Sequence, residues 1–341
     1  MATNELSTPR VPFYQTGTFT VGNRLLDPEA RAVQAATDRG NALTSGHRAC
    51  QGCGQALGAR YVLDTALRAT RGQLIAVNAT GCLEVFSTPA PESAWRVPWM
   101  HSVFANAASV AAGVAAALAV KGRSGVRVIA QGGDGSTADI GFGGLSGMFE
   151  RNDDVLYVCY DNQGYMNTGV QRSSATPPTA STATTPAIGP EPGNAVGQGK
   201  NVPLIAMAHG IPYVATASVA DLHDLEAKVE RAIAMDGARY IHVDVPCPLG
   251  WGHAADETIQ VARLAIESGL FPLFEAEGGV VKRRTPIRRR VPVDACLRLQ
   301  RRFAHLFSEN QPGGSAGLAV LQGIADENVR RFGLMIEEDA P

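Results

Sequence analysis

Two short polar clusters, each placed at the end of an apolar segment, constrain the fold of this 341-residue chain most strongly. Gly133-Asp134-Gly135 follows the apolar segment 126–130, and Asp161-Asn162-Gln163-Gly164 follows the apolar segment 155–160. The apolar segments are typical of buried strands, and a helix is predicted between them at 139–150. Ligands of open α/β sheets lie beyond the carboxyl ends of strands, so both clusters are expected at one ligand-binding edge.

The first cluster has the chemistry of a phosphate and cation site. Glycine lets the backbone approach phosphate oxygens closely, and the N–H groups at a helix start favour negative charge. Magnesium prefers oxygen ligands, usually one or two from the protein beside substrate phosphates. A lone Gly-Asp-Gly is a common turn, but a second oxygen-rich cluster follows 28 positions later. The spacing resembles the thiamin-diphosphate motif, with Asp134 and Asn162 as side-chain ligands and Gly164 as a carbonyl ligand.

Composition excludes several classes of function. At 45% hydrophobic residues, a chain of this length can bury roughly three quarters of its unfolded surface. The net charge of −2 gives no general attraction to nucleic acid or anionic membranes. There is no apolar run of about 18 residues and no signal-peptide core, and the Ala-rich segment 103–120 is interpreted as a buried helix. A cytoplasmic protein without nucleic-acid or membrane partners is expected.

The chain is expected to have three parts. Residues 1–45 lack clear periodicity and are interpreted as an N-terminal arm. Residues 46–278 alternate predicted strands and helices, which favours a three-layer α/β/α fold with a mostly parallel sheet. Within this part, the Ser-, Thr-, Ala-, Pro- and Gly-rich segment 173–201 is interpreted as an ordered active-site or interface loop. Residues 279–341 are predicted to form a basic linker and a C-terminal helical extension, with helices at 294–308 and 316–335.

The basic linker is unusually rich in positive charge. It contains Lys282, Arg283, Arg284, Arg288, Arg289 and Arg290. A solvated arm is the simpler interpretation of this run. The alternative is docking to an acidic partner subunit or an acidic electron carrier, because complementary charge speeds association.

Four of the six cysteines fall in predicted loops or at strand ends: Cys50, Cys53, Cys82 and Cys247. The other two, Cys159 and Cys296, lie in predicted regular elements and are expected to be small buried side chains. Six cysteines are too few for a secreted disulfide scaffold of this length. Four thiolates can hold a zinc ion or an iron–sulfur cluster, and spacing alone leaves both open. The neighbouring thiamin motif favours the cluster, because a thiamin carbanion can give up electrons singly to it.

Longer stretches of the chain resemble the β subunit of pyruvate:ferredoxin oxidoreductase. The similar stretches are 46–54 (GHRACQGCG), 78–86 (NATGCLEVF), 93–99 (SAWRVPW), 132–135 (GGDG), 160–162 (YDN), 165–169 (YMNTG), 171–173 (QRS) and 246–248 (PCP). The resemblance runs from about residue 40 to about residue 275. One departure is Gln163-Gly164, which stands where a Glu-Ala pair is usual, and a backbone carbonyl ligand tolerates that change.

The resemblance implies a thiamin-diphosphate-binding fold, magnesium and one four-iron, four-sulfur cluster. The implied magnesium ligands are Asp134, Asn162 and the Gly164 carbonyl, and the implied cluster ligands are Cys50, Cys53, Cys82 and Cys247. Asn167 corresponds to the family's active-site asparagine near the reacting thiazolium. The implied cofactor contacts are Gly81, Cys82, Gly133, Asp134, Gly135, Ser136, Asn162, Gly164, Asn167 and Thr168.

The resemblance also implies a reaction that needs partner subunits. It is the oxidative decarboxylation of a 2-oxo acid, with coenzyme A accepting the acyl group and ferredoxin or flavodoxin taking two electrons. A companion α chain supplies the glutamate that activates the aminopyrimidine, and γ and δ subunits, separate or fused, are expected. The segment 81–99 is more similar to pyruvate-type members. Two alternatives are a non-redox thiamin-dependent decarboxylase with structural zinc and a non-catalytic electron-transfer or assembly subunit.

Overall fold

The chain folds around an eight-stranded sheet. The computed structural model describes residues 41–44, 46–88, 93–189, 191–308 and 314–335. The strands are β1 (Leu74–Ala79), β2 (Trp99–Ser102), β3 (Arg127–Gly133), β4 (Leu156–Asp161), β5 (Tyr213–Ser218), β6 (Arg239–Asp244), β7 (Phe274–Glu277) and β8 (Val280–Arg284). Their order is β2-β1-β3-β4-β6-β5-β7-β8. The first six run parallel, whereas β7 is antiparallel to β5 and β8 is antiparallel to β7.

Helices cover both faces of this sheet. They are α1 (Gly54–Ala69), α2 (Cys82–Ser87), α3 (Ala107–Val120), α4 (Phe142–Glu150), α5 (Val202–Ala208), α6 (Leu222–Ala234), α7 (Thr258–Ser268), α8 (Val293–Leu297) and α9 (Gly314–Phe332). One core layer includes residues of α1 and α6, and the other includes residues of α3, α4 and α5. The predicted three-layer fold with a mostly parallel sheet is therefore confirmed. No described helix has the length and apolarity needed to cross a bilayer.

Burial and capping explain where the central elements form. Strands β4, β5 and β6 are buried at every position, as expected for the middle of a sheet covered on both faces. Helix α5 begins after Asn201, whose side chain accepts a hydrogen bond from the Leu204 N–H. Helix α7 ends at Gly269, which adopts φ of +89°, a conformation that glycine allows at low cost.

The Ala-rich helix differs from its prediction. Helix α3 begins at Ala107 rather than at residue 103, and only its residues Ala107, Ala108, Ala111 and Leu118 are buried. The side chain of Val120 is 90% exposed. The expectation of a buried helix was therefore wrong, because an apolar composition does not show whether a helix lies inside the protein or presents small side chains outward.

The C-terminal part of the chain, after residue 278, also differs from the sequence interpretation. The predicted boundary after Gly278 falls in the turn of the β7–β8 hairpin, so the sheet continues across it. The start of the basic linker is strand β8, in which Arg283 donates to Glu277 Oε1 at 3.0 Å. Charged side chains are common on edge strands, where they discourage pairing with other chains.

Two further predictions concern the chain ends. The helix predicted at 294–308 is α8 followed by a 3-10 helix, Arg301–Phe307, and the helix predicted at 316–335 is α9. Most of the predicted N-terminal arm, residues 1–40 and 45, lies outside the described residues.

An aromatic stack fixes α9 to the sheet and generates the first prediction. The buried rings of Phe274 and Phe332 have centroids 4.5 Å apart and planes inclined by 14°. We expect Phe332→Ala to lower the free energy of unfolding by about 3–5 kcal/mol, because it removes a large buried ring. Chemical denaturation of the full chain measures this change. Val320→Ala, on the same helix but half-exposed, is the control and should cost less than about 1 kcal/mol; equal losses would contradict the role of the stack.

Candidate active site

The Gly-Asp-Gly cluster lies where β3 leads into a helical segment. The strand ends at Gly133, and a π-helical turn, Gly135–Ile140, begins directly after Asp134. A Cβ atom added to Gly135 would lie 2.5 Å from the Tyr165 ring, so a side chain does not fit there. At Gly133 the nearest atom to an added Cβ would be 3.9 Å away. The turn is therefore tightly packed on one side and leaves space against the backbone at Gly133.

The three predicted cation ligands meet at this turn. One end of the Asn162 amide lies 3.0 Å from Asp134 Oδ1 and 3.0 Å from the Gly164 carbonyl oxygen. The other end lies 3.3 Å from Gln55 Oε1. A nitrogen at the first end would donate to both oxygens, whereas an oxygen there would complete a set of three acceptors. Neighbouring ligands of an octahedral magnesium ion, with bonds of about 2.1 Å, lie about 3.0 Å apart. The donor set therefore fits magnesium when the amide oxygen faces it.

The carboxylate of Asp134 is strongly perturbed by its surroundings. It is 1% exposed and accepts a hydrogen bond from Ser173 Oγ at 2.5 Å. Burial raises the pKa of Asp134 well above its usual range, and the nearby Asp161 carboxylate raises it further. A buried carboxylate is costly unless a proton or a cation neutralises it. Asp134 is therefore suited to bind a metal ion.

The segment 173–201 supports the turn from the outside. It contains no helix or strand within its described residues. In addition to the Ser173 contact, the Ser174 N–H donates to Asp139 Oδ2 at 3.0 Å, and Thr176 Oγ1 donates to the Gln163 carbonyl at 2.8 Å. Ser173 belongs to the QRS stretch of the resemblance, but sequence reasoning gave it no function. Gln55, two positions after Cys53 in the sequence, was also missed.

The four predicted cluster cysteines influence one another electrostatically. Burial raises the pKa of Cys53 to about 11 and that of Cys82 to about 12, and charge on the neighbouring cysteines raises both further. The neighbours of Cys82 in this respect are Cys247, Cys53 and Cys50. Among the described residues, no three His, Cys, Asp or Glu side chains converge to hold a single metal ion. Cys159 and Cys296 are buried, as expected.

Two of these sulfurs lie at the starts of helical segments. Cys53 Sγ accepts from the Ala56 N–H at 3.4 Å at the start of α1. Cys247 Sγ accepts from the Gly250 N–H at 3.3 Å in a second π-helical turn, Pro248–Gly252. These donors lower the pKa of each thiol against the effect of burial. Hydrogen bonds of this kind stabilise thiolate ligands and tune the potential of a metal centre.

The remaining predicted residues differ in their availability to a ligand. Asn167 and Thr168 are exposed, and the Asn167 side chain lowers the pKa of the Cys82 thiol against the larger effect of burial. Gly81 directly precedes Cys82, the first residue of α2. Ser136 is buried, and its hydroxyl donates to the Gly133 carbonyl at 2.9 Å, so this side chain supports the turn. Asn167 therefore lies close to Cys82, three positions after the predicted cation ligand Gly164.

Comparison with known proteins agrees with this geometry. Residues 79–243 match the family model described as thiamine pyrophosphate enzyme, C-terminal TPP binding domain. The chain is 49% identical over 293 residues to pyruvate synthase subunit PorB from Methanosarcina barkeri, covering 86% of this chain and 97% of that protein. The chain belongs to the family of pyruvate:ferredoxin oxidoreductase β subunits. The family membership predicted from the sequence is confirmed, and the chain is an enzyme subunit with a thiamin-diphosphate-binding domain.

Two further relatives show the breadth of this family. Ketoisovalerate oxidoreductase subunit VorB from Pyrococcus abyssi is 43% identical over 273 residues, covering 78% of this chain and 86% of that protein. Among solved structures, 2-oxoglutarate:ferredoxin oxidoreductase from Magnetococcus marinus aligns with 86% of this chain and 89% of its own chain, with a TM-score of 0.51 and 21% identity. That structure shares the fold of the β-subunit chain described above.

The tight packing at Gly135 generates the second prediction. We expect Gly135→Ala to lower the free energy of unfolding by about 1–3 kcal/mol, because the new methyl group collides with the Tyr165 ring. Thermal unfolding of the purified chain measures the change. Gly143→Ala is the matched control, since Gly143 is an exposed position in α4 with open space around it. It should be neutral or stabilising by up to about 1 kcal/mol; similar losses in both variants would contradict the packing role.

Proposed function

We propose that this chain is the β subunit of an enzyme that oxidatively decarboxylates a 2-oxo acid, with pyruvate as the favoured substrate. Coenzyme A accepts the acyl group, and the electrons leave through a four-iron, four-sulfur cluster to ferredoxin or flavodoxin. The observation that carries the proposal is the meeting of the Asp134, Asn162 and Gly164 oxygens near a group of four interacting cysteines. Relatives named for pyruvate and for ketoisovalerate support a 2-oxo acid substrate, and the higher identity to the pyruvate synthase subunit favours pyruvate.

Asp134, Asn162 and the Gly164 carbonyl would hold magnesium, with the diphosphate against the backbone of Gly133 and Gly135. Thiamin diphosphate supplies the carbanion and the electron sink, whereas the protein supplies binding, orientation and electrostatics. The cation would neutralise the Asp134 carboxylate in place of the proton that its raised pKa otherwise favours. The hydrogen bond from Ser173 would keep this carboxylate in its binding orientation.

Cys50, Cys53, Cys82 and Cys247 would hold the iron–sulfur cluster, which accepts electrons one at a time. The N–H groups of Ala56 and Gly250 would stabilise negative charge on two of the four sulfurs. Asn167 would lie between the thiamin and the cluster, and its amide would donate a hydrogen bond to a substrate oxygen. The free thiols fit a reducing compartment such as the cytoplasm.

An exposed apolar border supports the proposal of a partner α subunit over the site. Val103 and Ile140 are exposed large apolar side chains. The adjacent Phe104 ring packs against Tyr165 with centroids 5.9 Å apart, so this border adjoins the Gly-Asp-Gly turn. Exposed apolar surface beside a site is typical of a region that another protein covers. The α subunit would complete the site and supply the glutamate that activates the aminopyrimidine, and γ and δ subunits would complete the assembly.

The third prediction is that the thiamin diphosphate site and the iron–sulfur cluster can be removed separately by substitution. In the complex purified without oxygen, Asp134→Ala should abolish binding of thiamin diphosphate, measured calorimetrically with magnesium, while the iron and acid-labile sulfide contents stay unchanged. Cys247→Ser should have the opposite effect and remove the brown colour. The exposed Asp236 and the buried Cys296 provide the controls Asp236→Ala and Cys296→Ala. Turnover that survives Asp134→Ala would place the cofactor on another chain, and a colourless zinc protein would favour the non-redox decarboxylase.

The proposed role of Asn167 gives the fourth prediction. Asn167→Ala should lower kcat by about 100- to 1000-fold, because one hydrogen-bond donor to the transition state contributes about 3 kcal/mol. Thiamin diphosphate affinity should fall much less than kcat, since Asn167 is not among the proposed cation ligands that anchor the diphosphate. Steady-state kinetics of the reconstituted complex, with dye reduction as the readout, measures the effect. An unchanged kcat would contradict the assignment.

A further inference from the structure

The C-terminal extension reaches the candidate site through one buried arginine. Arg302 lies on the 3-10 helix Arg301–Phe307 and is 8% exposed. Its Nη2 group donates to Gln163 Oε1 at 2.6 Å. Gln163 stands between Asn162 and Gly164, two of the proposed magnesium ligands. A residue of the C-terminal extension therefore contacts the proposed cation-binding segment directly.

The same guanidinium also contacts the loop that carries Cys247. The Cζ atom of Arg302 lies 3.9 Å from the centroid of the buried Trp251 ring. The Trp251 indole N–H donates to the Asn162 carbonyl at 2.7 Å, and its backbone N–H donates to the Cys247 carbonyl at 2.8 Å. Arg302 and Trp251 thus join the segment 161–164 to the segment 247–252.

Gln163 requires support from its surroundings. Its φ of 64° is rarely adopted by residues other than glycine, asparagine and aspartate. Its N–H donates to Asp161 Oδ1 at 2.9 Å, and its carbonyl accepts from Thr176 Oγ1 at 2.8 Å. These bonds hold the backbone, and the bond from Arg302 holds the side chain.

Arg302 has an unusual set of partners for a buried cation. Besides Gln163 and Trp251, its Nε donates to Gln300 Oε1 at 2.9 Å, and no carboxylate forms an ion pair with it among the described residues. Burial lowers the pKa of Arg302 to about 9, although Asp161 and Asp244 attract its charge from further away. A buried cation without a direct counter-charge is costly. Because of this cost, Arg302 contributes little to the overall free energy of unfolding, which points to a role in the local arrangement of its partners.

We propose that Arg302 is a positioning residue that holds the cation-binding segment 161–164 and the cysteine-bearing segment 247–252 in one fixed arrangement. This arrangement should strengthen the binding of thiamin diphosphate. That effect rests on the proposed function, because it requires thiamin diphosphate and magnesium at Asp134. Lysine cannot replace this arginine, since only a planar guanidinium covers the Trp251 ring and donates to Gln163 from the same plane.

Hydrogen exchange of the full chain in its complex, without added thiamin diphosphate, tests the coupling itself and is the fifth prediction. Arg302→Gln should speed amide exchange in both 161–165 and 247–252 by about tenfold, the effect of losing a hydrogen bond from a charged donor. The neighbouring Arg301 is exposed, so Arg301→Gln is the matched control and should change neither segment. Unchanged exchange in either segment, or faster exchange across the whole sheet, would overturn the proposal.

Titration of the same complexes with thiamin diphosphate, in buffer containing magnesium, tests the consequence. The half-saturating concentration should rise about tenfold in both Arg302→Gln and Arg302→Lys. Trp251→Phe keeps an aromatic ring and removes the donor to Asn162, so it should act in the same direction even if the Arg302 variants fold poorly. Wild-type complex that binds no thiamin diphosphate would refute the proposed function and leave the exchange result standing. Wild-type-like affinity in the Arg302 variants would refute the positioning role.

Discussion

A buried carboxylate that needs a positive partner is the constraint on which the site depends. Asp134 follows the last residue of β3, and burial together with the Asp161 carboxylate makes its charged form unfavourable. The parallel sheet brings β4 alongside β3, so Asn162 and Gly164 arrive at the same edge. When the Asn162 amide oxygen faces Asp134 and Gly164, it lies 3.0 Å from an oxygen of each, the spacing of neighbouring ligands of an octahedral magnesium ion. A divalent cation at this edge would satisfy Asp134 and provide an anchor for a diphosphate.

Burial also makes the charged form unfavourable for the cysteines on the neighbouring loops. Burial raises the pKa of Cys53 and Cys82, so negative charge on these sulfurs is favourable only where hydrogen-bond donors or a bound cation compensate it. Asn167 links this group to the proposed cation-binding segment, since its side chain lies close enough to lower the pKa of the Cys82 thiol. Trp251 makes a second link, from the Asn162 carbonyl to the Cys247 loop. The two proposed centres therefore share one edge of the sheet and two direct connections.

The accuracy of the sequence predictions follows from how local each signal is. Helix α4, Phe142–Glu150, forms within the predicted range 139–150, because its apolar residues lie within one short segment between two buried strands. Strand β8 was missed because it is short and carries Lys282, Arg283 and Arg284, which resemble a solvated linker. In the site, the local clusters predicted three oxygen ligands, Asp134, Asn162 and Gly164, and the structure brings these residues together. Ser173, Gln55 and Trp251 were missed because they reach the site from 39, 107 and 89 positions away.

The most direct test of this account is a structure of the complex prepared without oxygen, with thiamin diphosphate and magnesium bound and iron located by anomalous diffraction. The account predicts one light metal ion held by oxygens of Asp134, Asn162 and Gly164, and a group of irons bounded by the sulfurs of Cys50, Cys53, Cys82 and Cys247. A diphosphate bound away from the Gly-Asp-Gly turn, or a single non-iron ion among these cysteines, would contradict it.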